Sequence, residues 1–191
     1  MKILGISGTI TGSKTLIVIH KVLEEIKKRN PEVETEILDL KQYDVLFCDG
    51  RPVEDYTGDT AKVIDMISSA DGYIMGTPIF QGSISGALKN LIDLVPPSAF
   101  HHKVMGFAAT GGNNLHYLVI ENQLKPIAGY LKTFVAPGYI FAQNKQFDSL
   151  NRMIDPVLVE NIESFSDDFT YMFTRLNHNQ KPLNKLSENY K

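Results

Sequence analysis

The chain has 191 residues, 43% of them hydrophobic, and a formal net charge of −3. That length suffices for one domain with a core that needs no cross-links, and the charge balance provides no basic footprint for nucleic acid. The one cysteine, Cys48, excludes an internal disulfide or a thiolate metal site and fits a reducing, cytoplasmic setting; no apolar run approaches the length of a membrane span.

Residues 2–7 are a short apolar run, read as a central parallel strand rather than a signal peptide. Residues 13–29 place Leu16, Ile19, Leu23 and Ile26 at helical spacing, and Asn30-Pro31 ends that helix. Residues 32–40 alternate as a second strand, and 42–59 form a long loop rich in Asp, Gly and Pro that shapes a site entrance. A helix is predicted over 60–69, a third strand over 72–76, a loop over 77–82 and a helix over 85–95. A fourth strand covers 103–109, followed by a helix over 113–131 kinked at Pro126, which has no backbone donor. The fifth strand, 134–141, is interrupted at Pro137-Gly138, and a last helix covers 150–175 with Pro156 in its first turns. Residues 1–175 form one domain and 176–191 a polar tail. Alternating strands and helices predict an α/β fold, a parallel sheet with helices on both faces and ligands beyond the strand ends.

The strand ends therefore carry the chemistry. After the first strand come Ser7, Gly8, Thr9, Ile10, Thr11, Gly12, Ser13, Lys14 and Thr15. Backbone donors at a helix start, hydroxyls and a lysine suit a terminal phosphate; the alternative is a tight turn with Ser13 as helix cap. The segment falls short of a nucleotide phosphate loop, because Ser13 stands where the second glycine belongs and the next strands end without an acidic residue for magnesium. It also lacks the Gly-x-Gly-x-x-Gly dinucleotide pattern. After the third strand come Thr77, Pro78, Ile79, Phe80, Gln81 and Gly82, an apolar wall with close backbone that suits a flat heteroaromatic ring. The alternative is that Ile79 and Phe80 plug the core. After the fourth strand, Thr110, Gly111 and Gly112 permit close approach, and Asn113 and Asn114 supply caps.

At these residues the chain resembles the NAD(P)H-dependent FMN reductases of the flavodoxin-like class, most nearly the flavin reductases of two-component sulfonate-utilisation monooxygenase systems. GISGTITGSKT (5–15), GTPIFQGSISGALKNLIDLVP (76–96) and ATGGNNLHYLVIENQLKPI (109–127) carry the resemblance. It implies a flavodoxin-like three-layer sandwich with a five-stranded sheet in the order 2-1-3-4-5. It implies FMN as cofactor, NADPH or NADH as electron donor, and hydride transfer between them. A homodimer or homotetramer is implied, and a monooxygenase partner could receive the reduced flavin. Ser7, Thr9, Ser13 and Thr15 would hold the FMN phosphate, with Lys14 as the nearby cation where the family often has arginine. Pro78, Ile79, Phe80, Gln81, Gly82, Thr110, Gly111 and Gly112 would hold the ring. Some flavin-releasing members carry a tyrosine tied to a helix bulge; the matching position here is Ile84, which favours a retained FMN that reduces quinones, azo dyes or another flavin.

The flavin performs hydride chemistry itself, so no catalytic acid, base, nucleophile or metal is expected. His20 reads as a surface or packing residue, and His101 and His102 precede the fourth strand. His116 stands close enough to the third loop to face a cofactor or a subunit, or to cap. Cys48 reads as buried filler, and Lys89 pairs with Asp93. Ile84, Leu88, Leu91, Ile92 and Val95, with Leu118, Val119, Ile120, Leu124 and Ile127, are expected to form part of a subunit interface. Rival functions are a non-enzymatic electron carrier and an NTP-binding protein.

Overall fold

The computed structural model describes residues 1–178. Strands β1 (Lys2–Ser7), β2 (Glu34–Asp39), β3 (Gly72–Pro78) and β4 (Val104–Gly111) pair in parallel with two short strands, β5 (Phe134–Val135) and β6 (Ile140–Gln143). The order is β2-β1-β3-β4-β5, as expected, with β6 also paired to β4. The central strands are buried along almost their whole length, which is what continuous apolar runs between two helical layers require.

Helices α1 (Lys14–Arg29) and α5 (Pro156–His178) cover one face. There Ile3, Ile19, Ile26 and Ile74 meet Phe165, Phe169 and Phe173. Helices α2 (Gly58–Ser68), α3 (Gly86–Leu94) and α4 (Lys125–Tyr130) lie on the other, where Leu38, Met75 and Phe107 pack with Ile67, Leu88, Leu91 and Leu124. The layer of α1 is fastened electrostatically. Glu25, buried in α1, receives Lys21 at 3.1 Å, Lys28 at 2.7 Å and Arg29 at 2.8 Å, and Arg29 also reaches Asp167 on α5.

Three elements differ from expectation for identifiable reasons. The fifth strand splits at the Pro137-Gly138 interruption, since proline has no donor for the ladder. The single helix over 113–131 is instead a 3₁₀ turn at Asn114–Tyr117, a π turn at Ile120–Leu124 and α4. Lys125 N–H donates to Ile120 O, five residues back, and Pro126 then sits in the first turn of α4, where a missing N–H costs little. The bulge thus lies after β4, whereas Ile84 precedes the regular α3. The last helix begins at Pro156 rather than at residue 150, because Asp155 Oδ1 caps Val157 N–H at 2.8 Å. It runs to His178, into the segment read as tail; the remainder of that tail, 179–191, lies outside the described residues.

Of the apolar residues expected at a subunit interface, Ile84, Leu88, Leu91, Ile92, Val95, Val119, Ile120 and Leu124 are buried within the chain itself, Ile127 is partly buried and Leu118 is exposed. Cys48 is exposed rather than buried, because Asn90 of α3 fixes its backbone N–H and leaves its loop at the surface. No helix among the described residues is long and apolar enough to cross a membrane.

Candidate functional site

The carboxyl ends of β1, β3, β4 and β6 converge on a cavity of about 280 Å³ lined by Thr11, Gly12, Ser13, Lys14, Thr15, Pro78, Phe80, Thr110, Asn144 and Asn151. Residues from all three predicted loops meet there, together with two asparagines that the sequence reading did not single out.

The first loop starts from a close crossing. Gly8 N–H donates to Gly76 O at 2.8 Å, and the Ser85 hydroxyl donates to Gly8 O, so β3 and the start of α3 hold the loop from below. The Thr9 hydroxyl bonds Thr11, accepting its N–H at 3.1 Å and donating to its carbonyl at 2.6 Å. Thr9 therefore shapes the loop with its side chain. Ser13 occupies the cap position of α1, yet its hydroxyl caps nothing. The first-turn amides of α1 are thus left without a side-chain acceptor at the positive end of a four-turn helix, an arrangement ready for an anion. Ser7 is fully buried at the end of β1, and its hydroxyl has no partner among the described residues. The Thr15 hydroxyl lies 2.8 Å from that of Thr110, tying α1 to the end of β4. Lys14 Nζ donates to Asn144 Oδ1 at 2.9 Å and stands 5.6 Å from the Phe147 ring centre, so the site's cation is positioned by the segment after β6.

The second loop is a two-residue hairpin. Phe80 and Ser83 exchange backbone hydrogen bonds of 3.1 and 3.0 Å around Gln81 and Gly82, whose φ values are 51° and 73°. A turn with two successive positive φ angles favours glycine at its second place, and Gly82 meets that requirement. Gln123 of the π segment pins the hairpin: its Oε1 accepts from Ser83 Oγ at 2.7 Å and its Nε2 reaches Gly82 O at 3.3 Å. The two aromatic and aliphatic candidates separate here. Ile79 turns into the core, whereas Phe80 is half exposed and lines the cavity.

The third loop follows β4. Thr110 lines the cavity; Gly112 is exposed, and Asn113 caps the next turn through Leu115 N–H at 2.8 Å. Gly111 packs against His116 so closely that a Cβ there would lie 2.6 Å from its Nδ1, a buried atom with no partner among the described residues. Gln143 Nε2 donates to Asn114 Oδ1 at 2.6 Å, which joins the loops after β4 and β6. Asn144 and Asn151 escaped the sequence reading because the broken edge strand, not a helix cap or glycine pattern, brings them to the site. His20 is exposed on α1; His101 and His102 lie before β4, away from these loops. No group of three or more His, Cys, Asp or Glu side chains among the described residues is placed to hold a metal.

The polar mouth of α1, the buried unpartnered Ser7 hydroxyl and the adjoining apolar wall of Phe80 and Pro78 fit a phosphorylated, flat cofactor. Comparison with known proteins agrees. The chain is 54% identical over 172 residues to an NAD(P)H-dependent FAD/FMN reductase of Geobacillus thermodenitrificans, covering 90% of this chain and 93% of that one. It is 27% identical over 157 residues to an FMN reductase (NADPH) of Pseudomonas aeruginosa, covering 82% and 84%. Its fold resembles that of an NADH:FMN oxidoreductase solved without ligand, with a TM-score of 0.75 at 23% identity, over 90% of this chain and 89% of the other. The family model described as NADPH-dependent FMN reductase matches residues 1–148, and the chain belongs to that family.

Proposed function

We propose that this chain transfers a hydride from NAD(P)H to FMN held across the carboxyl edge of its sheet. The observation that carries the assignment is the cavity shared by the mouth of α1, the Phe80 hairpin and Thr110, in a chain of the FMN reductase family. When bound, FMN supplies the hydride-accepting ring. The chain's part is to hold and orient. The first-turn amides of α1, with Ser13, Thr15 and Lys14, receive the phosphate; the Ser7 hydroxyl, unpartnered among the described residues, is a further donor toward it, and the Thr9 turn shapes the loop. Pro78 and Phe80 form the ring's apolar wall, and the backbone of Ile79, Gln81 and Gly82 is the candidate for contact with the ring's polar edge. Thr110, Gly111 and Gly112 let backbone donors approach the polar edge of the ring, where reduced flavin accumulates negative charge. No side chain is assigned as acid, base or nucleophile.

Leu115 and Leu118, both exposed beside the third loop, support a homodimer or homotetramer whose second copy helps cover the ring. A flavin-using partner enzyme, such as a monooxygenase, would receive the reduced flavin if it leaves, and the cytoplasm is the proposed location. A retained FMN that reduces quinones or azo dyes is the second reading. It is favoured by the fastening of the ring hairpin to Gln123 and of Lys14 to Asn144, which gives a site held from both sides.

The test is steady-state oxidation of NADH and of NADPH with FMN in excess, beside ultrafiltration of gently purified protein. FMN-dependent oxidation is expected with at least one donor. Flavin in the filtrate marks an exchangeable substrate, and flavin in the retentate a prosthetic group. Protein that binds FMN yet oxidises neither donor would reduce the assignment to an electron carrier.

A further inference from the structure

A second cavity, of about 520 Å³, opens between the first loop, the segment after β2 and the start of α3. Thr11 and Phe80 line both cavities, so the two are neighbours that share a wall. The side chains of Ile10, Tyr43, Val45, Phe47 and Ala87 make the second one largely apolar. Ile10 is 68% exposed and Phe47 82% exposed, an unusual pairing of large apolar groups in water at one opening.

The outer wall is built in place. Asn90 of α3 donates to Leu46 O at 2.9 Å and accepts Cys48 N–H at 2.8 Å. Leu46 N–H donates to Thr60 Oγ1 at 2.9 Å, and Asp44 N–H to Asp59 Oδ2 at 3.0 Å, both on α2. Two helices therefore hold residues 44–48 against the opening, which gives the long loop a defined task. Preformed, mostly apolar cavities with a few polar groups are typical small-molecule sites.

Charge narrows the occupant. Asp44 is the one charged side chain among the described residues that line the cavity; Lys62 stands over the Tyr43 ring at 5.0 Å and is not part of the lining. A nicotinamide dinucleotide would bring its pyrophosphate against a carboxylate with no cation to receive it. The start of α3 contributes Gly86 and Ala87, whose first-turn amides can donate to a neutral carbonyl oxygen.

We propose that this cavity is a second ligand site, taking an uncharged, flat, fused-ring compound with a carbonyl oxygen, seated beside the cofactor and not in its place. The site extends beyond the hydride transfer proposed above and binds without requiring it.

The probe is prodan, a neutral naphthalene ketone whose emission shifts to the blue in apolar surroundings, compared with anilinonaphthalene sulfonate, which has similar rings and a negative charge. Both are titrated into the full chain with and without FMN. Prodan is expected to bind once per chain, about tenfold more tightly than the sulfonate, and FMN is expected not to displace it. Ala87→Phe, which fills the cavity, should weaken prodan by about tenfold or more. Asp44→Lys, an exposed change that leaves the core intact, should tighten the sulfonate by about tenfold and leave prodan within about twofold. Absence of prodan binding, equal affinity of the parent for both dyes, or displacement of prodan by FMN would each overturn the proposal. So would an Asp44→Lys protein with an unchanged dye preference, which decides the matter even if Ala87→Phe fails to fold. Prodan binding to a protein that binds no FMN would sink the cofactor placement and leave this site standing.

Discussion

Replacing Glu25 by glutamine tests how α1 is held under the phosphate loop. The Glu25 side chain is 5% exposed and is surrounded by three cations within 3.1 Å. The hydrogen bond from Lys28 is the largest influence, opposed by burial and reinforced by Arg29 and Lys21, and together they hold the carboxyl at about 2 against an ordinary 4.5. A folded-state pKa below the unfolded value means stability that is fully present above about pH 4.5 and is lost as the pH falls toward 2. The unscreened shift corresponds to about 3 kcal/mol, but the Lys28 side chain is 63% exposed, and solvent screening brings the expected contribution to about 1–2 kcal/mol. Urea unfolding of Glu25→Gln should therefore show a loss of about that size at neutral pH, and the gap to the parent should close as both are titrated from pH 5 to 2.5. A gap that stays constant through that range, or that is missing at neutral pH, would refute the electrostatic account of this helix.

Three further substitutions probe the site. Gly8→Ala would bring a Cβ to 2.7 Å from Gly76 O and 2.8 Å from Leu88 Cβ, and should cost about 2–4 kcal/mol, read as a fall in Tm; an unchanged Tm would contradict the tight crossing. Ser13→Ala should weaken FMN more than riboflavin in a fluorescence titration, since only FMN carries the phosphate, and equal losses would undo the phosphate placement. Gly111→Val would press on His116 from 2.6 Å and displace the third loop, weakening FMN by about tenfold. Unchanged FMN affinity in that variant would count against the ring placement.

Much of the fold is legible in the chain because its parallel strands are continuous apolar runs and its helices carry the complementary spacing. The order β2-β1-β3-β4-β5 agrees with the family resemblance. What was hidden depends on contacts distant in sequence. Pro126 signals a break, but only the bond from Lys125 to Ile120 shows that the chain absorbs it as a π turn. Nothing local to Gln123 announces that it pins the Phe80 hairpin from some 40 residues away. Asn144 reaches the phosphate loop through the parallel pairing of β6 with β4, and the short apolar run around Cys48 is turned outward by Asn90. The Ile79-Phe80 pair shows the same limit at finer scale. Both residues are apolar and adjacent, and only the hairpin geometry sends one to the core and leaves the other at the site.

The most direct measurement is a crystal structure of the chain with FMN. The account predicts the phosphate within hydrogen-bonding distance of the first-turn amides of α1 and the ring lying along Pro78, Phe80 and Thr110. Flavin seated instead in the cavity beside Tyr43, Val45 and Phe47, with the mouth of α1 left to solvent, would contradict it.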